Sequence, residues 1–239
     1  MTNAAILLCA GNGKRMRGEV TDKILTPLAG VPVICHCVNA FIESNIVEQI
    51  VFVYRDVQQQ AAIARALTSC KLDKYLIHWT QGGAERQDSV FNALIELSSR
   101  IDIACIHDCA RPFIRPTMLR KLVYAAQCDQ AATLAHRVTD TIKQAGSTQK
   151  TQKLTLKDVP RADLWAMETP QAFDRELITE AYRTIQFENL NITDDTAAAS
   201  YQGHLITLVE NPYPNPKLTT PSDLQYIEFL LTKFQKSCD

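Results

Sequence analysis

Ala4-Ala5-Ile6-Leu7-Leu8-Cys9-Ala10 is an unbroken apolar run that stops at Gly11, and no other segment constrains the chain as strongly. A stretch so short and so uniformly apolar has no water-facing side, the mark of a strand buried on both faces of a parallel sheet. Further short β-branched or apolar runs follow at Ile50 to Tyr54, Tyr75 to Trp79, Ile103 to His107, Ala131 to His136 and Leu205 to Val209. Between and after them lie segments of helical spacing: Pro32 to Asn45, Val57 to Thr68, Gln87 to Ser98, Thr117 to Cys128, Arg175 to Thr184, Asp194 to Gln202 and Pro221 to Phe234. This alternation predicts an α/β fold, a Rossmann-like and mostly parallel sheet with helices on both faces, whose ligands bind beyond the carboxyl ends of the strands.

The alternation breaks between Val138 and Asp163, a polar stretch in which Thr141-Ile142-Lys143 and Lys153 to Leu156 alternate like the two strands of a hairpin. It predicts a protruding β-arm at about 138–163; a plain solvated hairpin is an equally open reading, since long insertions cost little entropy. With no internal repeat and no linker, residues 1–239 read as one domain, a length that one core can serve.

Hydrophobic residues make up 46% and charged residues 21% of the chain, a globular balance that excludes a disordered polymer. The formal net charge of −1 gives no general attraction to nucleic acid or to an anionic membrane, so an anionic ligand must be met by local cations. No apolar run approaches the ~20 residues that span a bilayer, and Met1 leads almost directly into the first strand without a basic leader. The eight cysteines form no C-x-x-C pair and no zinc spacing, so they read as reduced thiols. A cytoplasmic protein acting on neither membranes nor nucleic acid is expected.

Four segments at strand ends carry the chemistry. Gly11-Asn12-Gly13-Lys14-Arg15-Met16 follows the first strand, where glycines let backbone N–H groups approach an anion, or simply make a tight turn. Met16 stands where a dinucleotide fingerprint needs its third glycine, and no G-K-[ST] marks a Walker loop. Lys14, Arg15, Arg17 and Lys23 crowd the same loop; two unit charges at 4 Å interact by about 4 kcal/mol at an effective dielectric of 20, and a triphosphate demands such compensation. Gly82-Gly83-Ala84-Glu85-Arg86-Gln87-Asp88-Ser89 opens a helix: its glycines suit a flat base edge that Ser89 hydrogen-bonds, while Asp88 or Ser89 as a helix cap is equally open. In His107-Asp108-Cys109-Ala110-Arg111-Pro112, Asp108 is the expected Mg²⁺ ligand, since that ion takes one or two carboxylates plus phosphate oxygens. Arg111 there suits either a ligand or a structural ion pair; His107 reads as structural. Lys217 precedes the last helix within Asn215 to Pro221.

In this order the segments resemble the cytidylyltransferase family that makes CDP-methylerythritol from CTP and 2-C-methyl-D-erythritol 4-phosphate in non-mevalonate isoprenoid synthesis. Cys9 to Met16 is similar to that family's A-A-G-x-G-x-R-M, Gly82 to Val90 to its G-G-x-x-R-x-D-S-V, and His107 to Pro112 to its H-D-A-A-R-P. Asp140 to Lys143, Leu164-Trp165 with Thr169-Pro170-Gln171, Thr193-Asp194-Asp195 and Asn215 to Leu224 follow in the same succession. The resemblance implies a nucleotidyltransferase fold and a homodimer in which one subunit's arm completes the other's acceptor site. It implies that Arg15, Lys23 and Lys217 are catalytic, binding the triphosphate. Cys9, Ala10, Gly11, Gly13 and Cys109 would line the nucleotide, with Gly83, Ala84 and Ser89 reading cytosine. Thr141, Arg161 and Thr169 would grip the acceptor beside Asp108 and Arg111, with Arg161 on its phosphate and Mg²⁺ on Asp108. The sequence departs from the pattern where Asp22-Lys23-Ile24 replaces P-K-Q and where Cys9 and Cys109 replace alanines, and Pro214 precedes Asn215 where some relatives carry an acidic residue.

A phosphate monoester with a second pKa near 6 is already ionised at neutral pH, so the expected transfer needs no general base. The rival readings are a cytidylyltransferase for another polyol phosphate, such as ribitol 5-phosphate, and a nucleotide-binding regulator without turnover.

Overall fold

The computed structural model describes residues 1–11, 13, 22–146 and 154–235. The chain opens with β1 (Asn3–Leu8), a two-residue hairpin of β2 (Pro27–Leu28) and β3 (Val31–Pro32), then α1 (Val33–Ser44), β4 (Gln49–Tyr54), α2 (Val57–Ala66) and β5 (Leu76–Gln81). It continues through α3 (Arg86–Leu94), β6 (Ile103–Asp108), α4 (Pro116–Asp129), β7 (Ala131–Arg137), β8 (Lys143–Ala145) and β9 (Leu156–Asp158). It closes with β10 (Trp165–Asp174), α5 (Arg175–Phe187), α6 (Asp195–Tyr201), β11 (Thr207–Glu210) and α7 (Pro221–Gln235). No described helix is long and apolar enough to cross a membrane.

Seven strands form one sheet in the order β11-β7-β10-β6-β1-β4-β5. All neighbouring pairs are parallel except those of β10, which runs antiparallel to both β6 and β7. The alternation of side chains along β1 shows why its whole run is apolar. Ala5 and Leu7 join Ile34, Phe41, Leu119 and Leu122 in the core on one face, while Ala4 and Ile6 join Val90, Ile178 and Ala198 on the other. Helices α1 and α4 therefore cover one face, and α3, α5 and α6 the other. Burying each large apolar side chain contributes roughly 1.5–3 kcal/mol, so a strand buried on both sides has no position to spare for polarity.

Local signals set most boundaries. Pro32 cannot join a helix interior and precedes α1, which stops at Asn45 in the left-handed region. Asp56, Asp174 and Asp194 each accept a hydrogen bond from the third residue on, capping α2, α5 and α6. The chain winds outward from β1 through β4 to β5 and then returns to β6 on the opposite flank of β1. That reversal leaves a crevice between the carboxyl ends of β1 and β6, the place where such sheets bind ligands.

The structure departs from the sequence reading in three places. β10 reads as no strand, because Glu168, Thr169, Pro170 and Gln171 interrupt its apolar residues, yet it lies near the middle of the sheet. The pairing with β7 shifts between Met167 and Gln171, so Pro170, which has no N–H to give, sits where the ladder is interrupted. The arm strands are displaced to β8 and β9, paired Lys143 with Asp158 and Ala145 with Leu156; residues 147–153, including Lys153, lie outside the described residues. The loop after β1 contains the β2-β3 hairpin, turned by Ala29 and Gly30, both at positive φ.

Candidate active site

A cavity of about 240 Å³ opens at that crevice. Its floor is Leu8, at the end of β1, with the following Cys9 to Gly11, and Val53 of β4; Gly83 and Ala84, Ala110, Lys23, Arg86, Asp108 and Lys217 close its sides. A second cavity of about 500 Å³ adjoins it, lined by Arg111, Met167, Thr169, Gln171 and Thr193, and it shares Arg86, Asp108 and Lys217 with the first. Three charged side chains thus form a wall common to both cavities.

Asp108 is the last residue of β6, in register with Leu8 of β1. Its two oxygens meet different cations: Lys217 Nζ donates to Oδ2 at 2.5 Å, and Arg86 Nε donates to Oδ1 at 3.2 Å. Burial opposes its ionisation, but Arg86 and Lys217 outweigh that and hold its carboxyl below the usual carboxylate range. Because the folded-state pKa is depressed, the ionised group contributes stability at neutral pH, and this contribution is lost as pH falls from about 4. Asp108→Asn is therefore expected to be less stable at pH 7 and to lose less on acidification, as urea unfolding between pH 5 and 3 would measure. Equal slopes for both proteins would remove this account of Asp108.

Arg86 is held from its other side. Its Nη1 and Nη2 donate to Oδ1 and Oδ2 of Asp195 at 2.8 Å each, and Tyr182 Oη donates to the same Oδ1 at 2.5 Å. Asp195 is fully buried, and against the cost of burial its charge and that of Asp108 hold the Arg86 guanidinium protonated. Arg86, Asp195 and Tyr182 are site residues that no local sequence signal marks as such. Arg86 and Asp195 lie inside quoted motifs, but nothing local connects positions so far apart in sequence.

The glycines before α3 are steric necessities. A Cβ on Gly83 would stand 2.2 Å from Asp88 Cβ, and one on Gly82 would stand 2.8 Å from Ala10 Cβ. Asp88 accepts from the Glu85 N–H in a capping box, and Ser89 Oγ accepts from Gly83 N–H at 3.0 Å while donating to the Glu85 carbonyl at 3.1 Å. Asp88 is thus a cap, and Ser89, which lines the first cavity, also shapes the loop. Lys23 crosses Gly11: a Cβ there would lie 3.7 Å from Lys23 Cε and 3.8 Å from its Nζ.

The structure brings Cys9, Ala10, Gly11, Lys23, Gly83, Ala84, Ser89, Asp108 and Lys217 to the first cavity, and Arg111 and Thr169 to the second. It does not bring Cys109 there. That thiol is fully buried, 3.5 Å from Cys9 Sγ, and packs in the core beneath the site because side chains alternate at the strand's end; Ala110 lines the cavity instead. Gly13 takes φ 58°, which glycine adopts without steric penalty. Arg15, with Lys14 and Arg17, lies outside the described residues. Thr141 and Arg161 are exposed at the arm and its base, away from both cavities; Arg161 Nη1 donates to the Thr139 carbonyl at 2.6 Å.

Thr169 is a scaffold as well as a lining residue. Its hydroxyl accepts from Asp108 N–H at 3.1 Å and lies 3.3 Å from His107 Nδ1, whose Nε2 faces the Arg111 carbonyl at 3.2 Å. His107 is fully buried against Phe41, so it is structural. Glu168 anchors the loop to Lys217: its oxygens meet His136 Nδ1 and accept from Asn211 and Asn215 side-chain amides at 2.7–2.9 Å. Arg111 Nη1 donates to the Asn215 carbonyl at 2.7 Å, while its buried Nε has no partner.

For Mg²⁺ the donor set is sparse. Among the described residues no three His, Cys, Asp or Glu side chains gather into a metal site. Asp108 fits only a one-carboxylate arrangement in which a bound polyphosphate supplies the remaining oxygens. The exposed Pro214 brings no second carboxylate.

Over residues 3–233 the sequence matches the family model described as IspD, 2-C-methyl-D-erythritol 4-phosphate cytidylyltransferase. The chain belongs to this family. The 2-C-methyl-D-erythritol 4-phosphate cytidylyltransferase of Geobacillus kaustophilus is 38% identical over 231 residues, covering 97% of both chains. That of Halalkalibacterium halodurans is 34% identical over 238 residues, covering 99% of this chain and all of its own. Among solved structures, the 4-diphosphocytidyl-2C-methyl-D-erythritol synthase of Anaerococcus prevotii superposes with a TM-score of 0.83 at 24% identity, covering 97% of this chain and 96% of its own, a likeness of fold. The Francisella tularensis 2-C-methyl-D-erythritol 4-phosphate cytidylyltransferase gives 0.78 at 25% identity, covering 96% and 99%. As a member of the cytidylyltransferase family, the chain keeps an α/β nucleotidyltransferase sheet, and its two cavities lie at that sheet's switch point.

Proposed function

We propose that the chain transfers CMP from CTP to 2-C-methyl-D-erythritol 4-phosphate, releasing pyrophosphate and CDP-methylerythritol. One observation carries this reading: two adjoining cavities share a wall of Arg86, Asp108 and Lys217. CTP occupies the smaller cavity, with its base against Gly83, Ala84 and Ser89 and its phosphates toward Gly11, Lys23 and Lys217. The acceptor occupies the larger one, against Arg111 and Thr169, where the Arg111 guanidinium offers positive charge to an anionic ligand.

The chemical task is to bring two anions together. An oxygen of the acceptor phosphate attacks the α-phosphorus, and the bond to the bridging oxygen of pyrophosphate breaks in line. No proton need be removed from the acceptor, in keeping with a buried His107 whose ring nitrogens already face Thr169 and the Arg111 carbonyl. Lys23 and Lys217 stabilise charge on the phosphates, and Mg²⁺ on Asp108 would supply further compensation when bound. Arg15 is assigned to the same task by the family resemblance alone, since it lies outside the described residues.

The family resemblance and the exposed arm residues support a homodimer in which Thr141 and Arg161 reach the partner's acceptor cavity; a monomer by light scattering at assay concentration would remove that part. The free cysteines among the described residues suit a reducing cytosol. The test of the function is pyrophosphate release from CTP with each candidate acceptor. Release with 2-C-methyl-D-erythritol 4-phosphate well above that with ribitol 5-phosphate is expected; the reverse preference would make this a different polyol phosphate enzyme, and CTP binding without release would make it a regulator.

A further inference from the structure

Asp22 is part of a buried polar cluster outside the wall of charges just described. Its carboxylate is only 8% exposed. Oδ1 accepts from Ile24 N–H at 3.2 Å; Oδ2 accepts from Gln59 Nε2 at 2.6 Å and faces Arg55 Nη1 at 3.5 Å. The Asp22 carbonyl accepts from Leu25 N–H and from Thr26 Oγ1. Lys23 is thus the second residue of a turn pinned by both side chain and backbone of Asp22, with Ile24 packed into the core behind it.

Gln59 connects this turn to the strand that carries the glycine loop. The same amide group that donates to Asp22 donates to the Cys9 carbonyl at 3.0 Å, and Gln59 Oε1 accepts from Arg55 N–H at 2.7 Å. All the hydrogen-bonding capacity of that buried amide nitrogen is spent on two partners, Cys9, which lines the first cavity, and Asp22, whose neighbours Lys23 and Ile24 line it. Arg55 is itself oriented by Asp56, whose carboxylate accepts from its Nε at 2.7 Å.

We infer that Asp22, gripped by Gln59 and Arg55, is the positioning residue that sets Lys23 over Gly11 for the triphosphate. A flexible lysine side chain is slow to repay its ordering entropy when it binds a ligand; a clamped backbone reduces the freedom lost. The inference rests on Lys23 being a triphosphate ligand, and the test separates the two claims. The kinetic cycle uses the full chain: Asp22→Ala, Lys23→Ala and the double variant, with kcat/KM for CTP and KM for the acceptor measured in each.

Asp22→Ala is expected to lose about tenfold in kcat/KM for CTP while acceptor KM stays within about twofold, because only the triphosphate end is disturbed. In the Lys23→Ala background the same substitution should cost less than about twofold more, since the group it positions is gone. Losses that multiply, or an acceptor KM that rises in step, would overturn the positioning role and leave Lys23 as a ligand. Near-normal turnover of Lys23→Ala would overturn both claims. Should Asp22→Ala fail to fold, the cycle is run with Asp22→Asn, which keeps an oxygen for Ile24 N–H and loses the charge.

Discussion

Lys217→Ala is expected to lower kcat at least about tenfold, and by as much as the hundredfold typical of removing one preorganised donor from a developing charge, while the chain remains folded. The ammonium lies on the Asp108 carboxylate, in the wall shared by the two cavities, and the proposed transfer between those cavities would build up charge beside it. With Lys217 gone, the buried Asp108 keeps its bond to Arg86 but loses one of its two cations, so a stability loss of about 1–3 kcal/mol accompanies the kinetic effect. Steady-state kinetics with both substrates saturating, next to a thermal melt, reads the two effects apart. A variant with kcat within twofold of the parent would remove Lys217 from the transition state.

Asp195→Asn should produce the largest loss of stability. It would leave the Arg86 guanidinium, about one-third exposed, without its bidentate and fully buried carboxylate; breaking a buried ion pair costs about 3–5 kcal/mol, and the partial exposure of Arg86 puts this case near the lower figure. For a chain of this length that corresponds to a fall in Tm of roughly 10 °C. Tyr182→Phe removes only one donor to the same carboxylate, which Arg86 still satisfies, so its cost should be about 1–2 kcal/mol. If Asp195→Asn melts within 2 °C of the parent, Arg86 does not depend on that carboxylate, and the account of how the wall is held fails.

Lys217 and Asp195 act on one electrostatic unit, the Arg86-Asp108 pair. Arg86 joins α3 to β6 through Asp108 and to the start of α6 through Asp195, so three elements are tied by a single guanidinium. Its Nε and both Nη atoms each give a hydrogen bond to a carboxylate, which fixes the plane of the fork. Lys217, by contrast, touches Asp108 at one point, and its three-donor ammonium can turn toward a phosphate without disturbing the fold. The wall therefore combines a rigid cation that holds Asp108 with a flexible one suited to moving with substrate.

The sequence alone determined the β-α alternation, the double-sided burial of β1, and the placement of Gly11, Gly83 and Asp108 at strand ends, because these follow from local hydrophobic period and from turn chemistry. Motif order was enough to point to the family, since motifs are read in sequence. Tertiary structure decided everything that joins distant residues: the return of the chain to β6 beside β1, the Arg86-Asp195 pair, the Gln59 link between Cys9 and Asp22, and the turning of Cys109 away from the cavity. It also decided β10, whose polar residues look wrong for a central strand until Glu168, Thr169 and Gln171 are seen spending their polar groups on the loop to Lys217, on Asp108 and on the start of α6. A buried polar group announces itself in sequence only as a polar residue; its partner is supplied by the fold, and the partner determines its role.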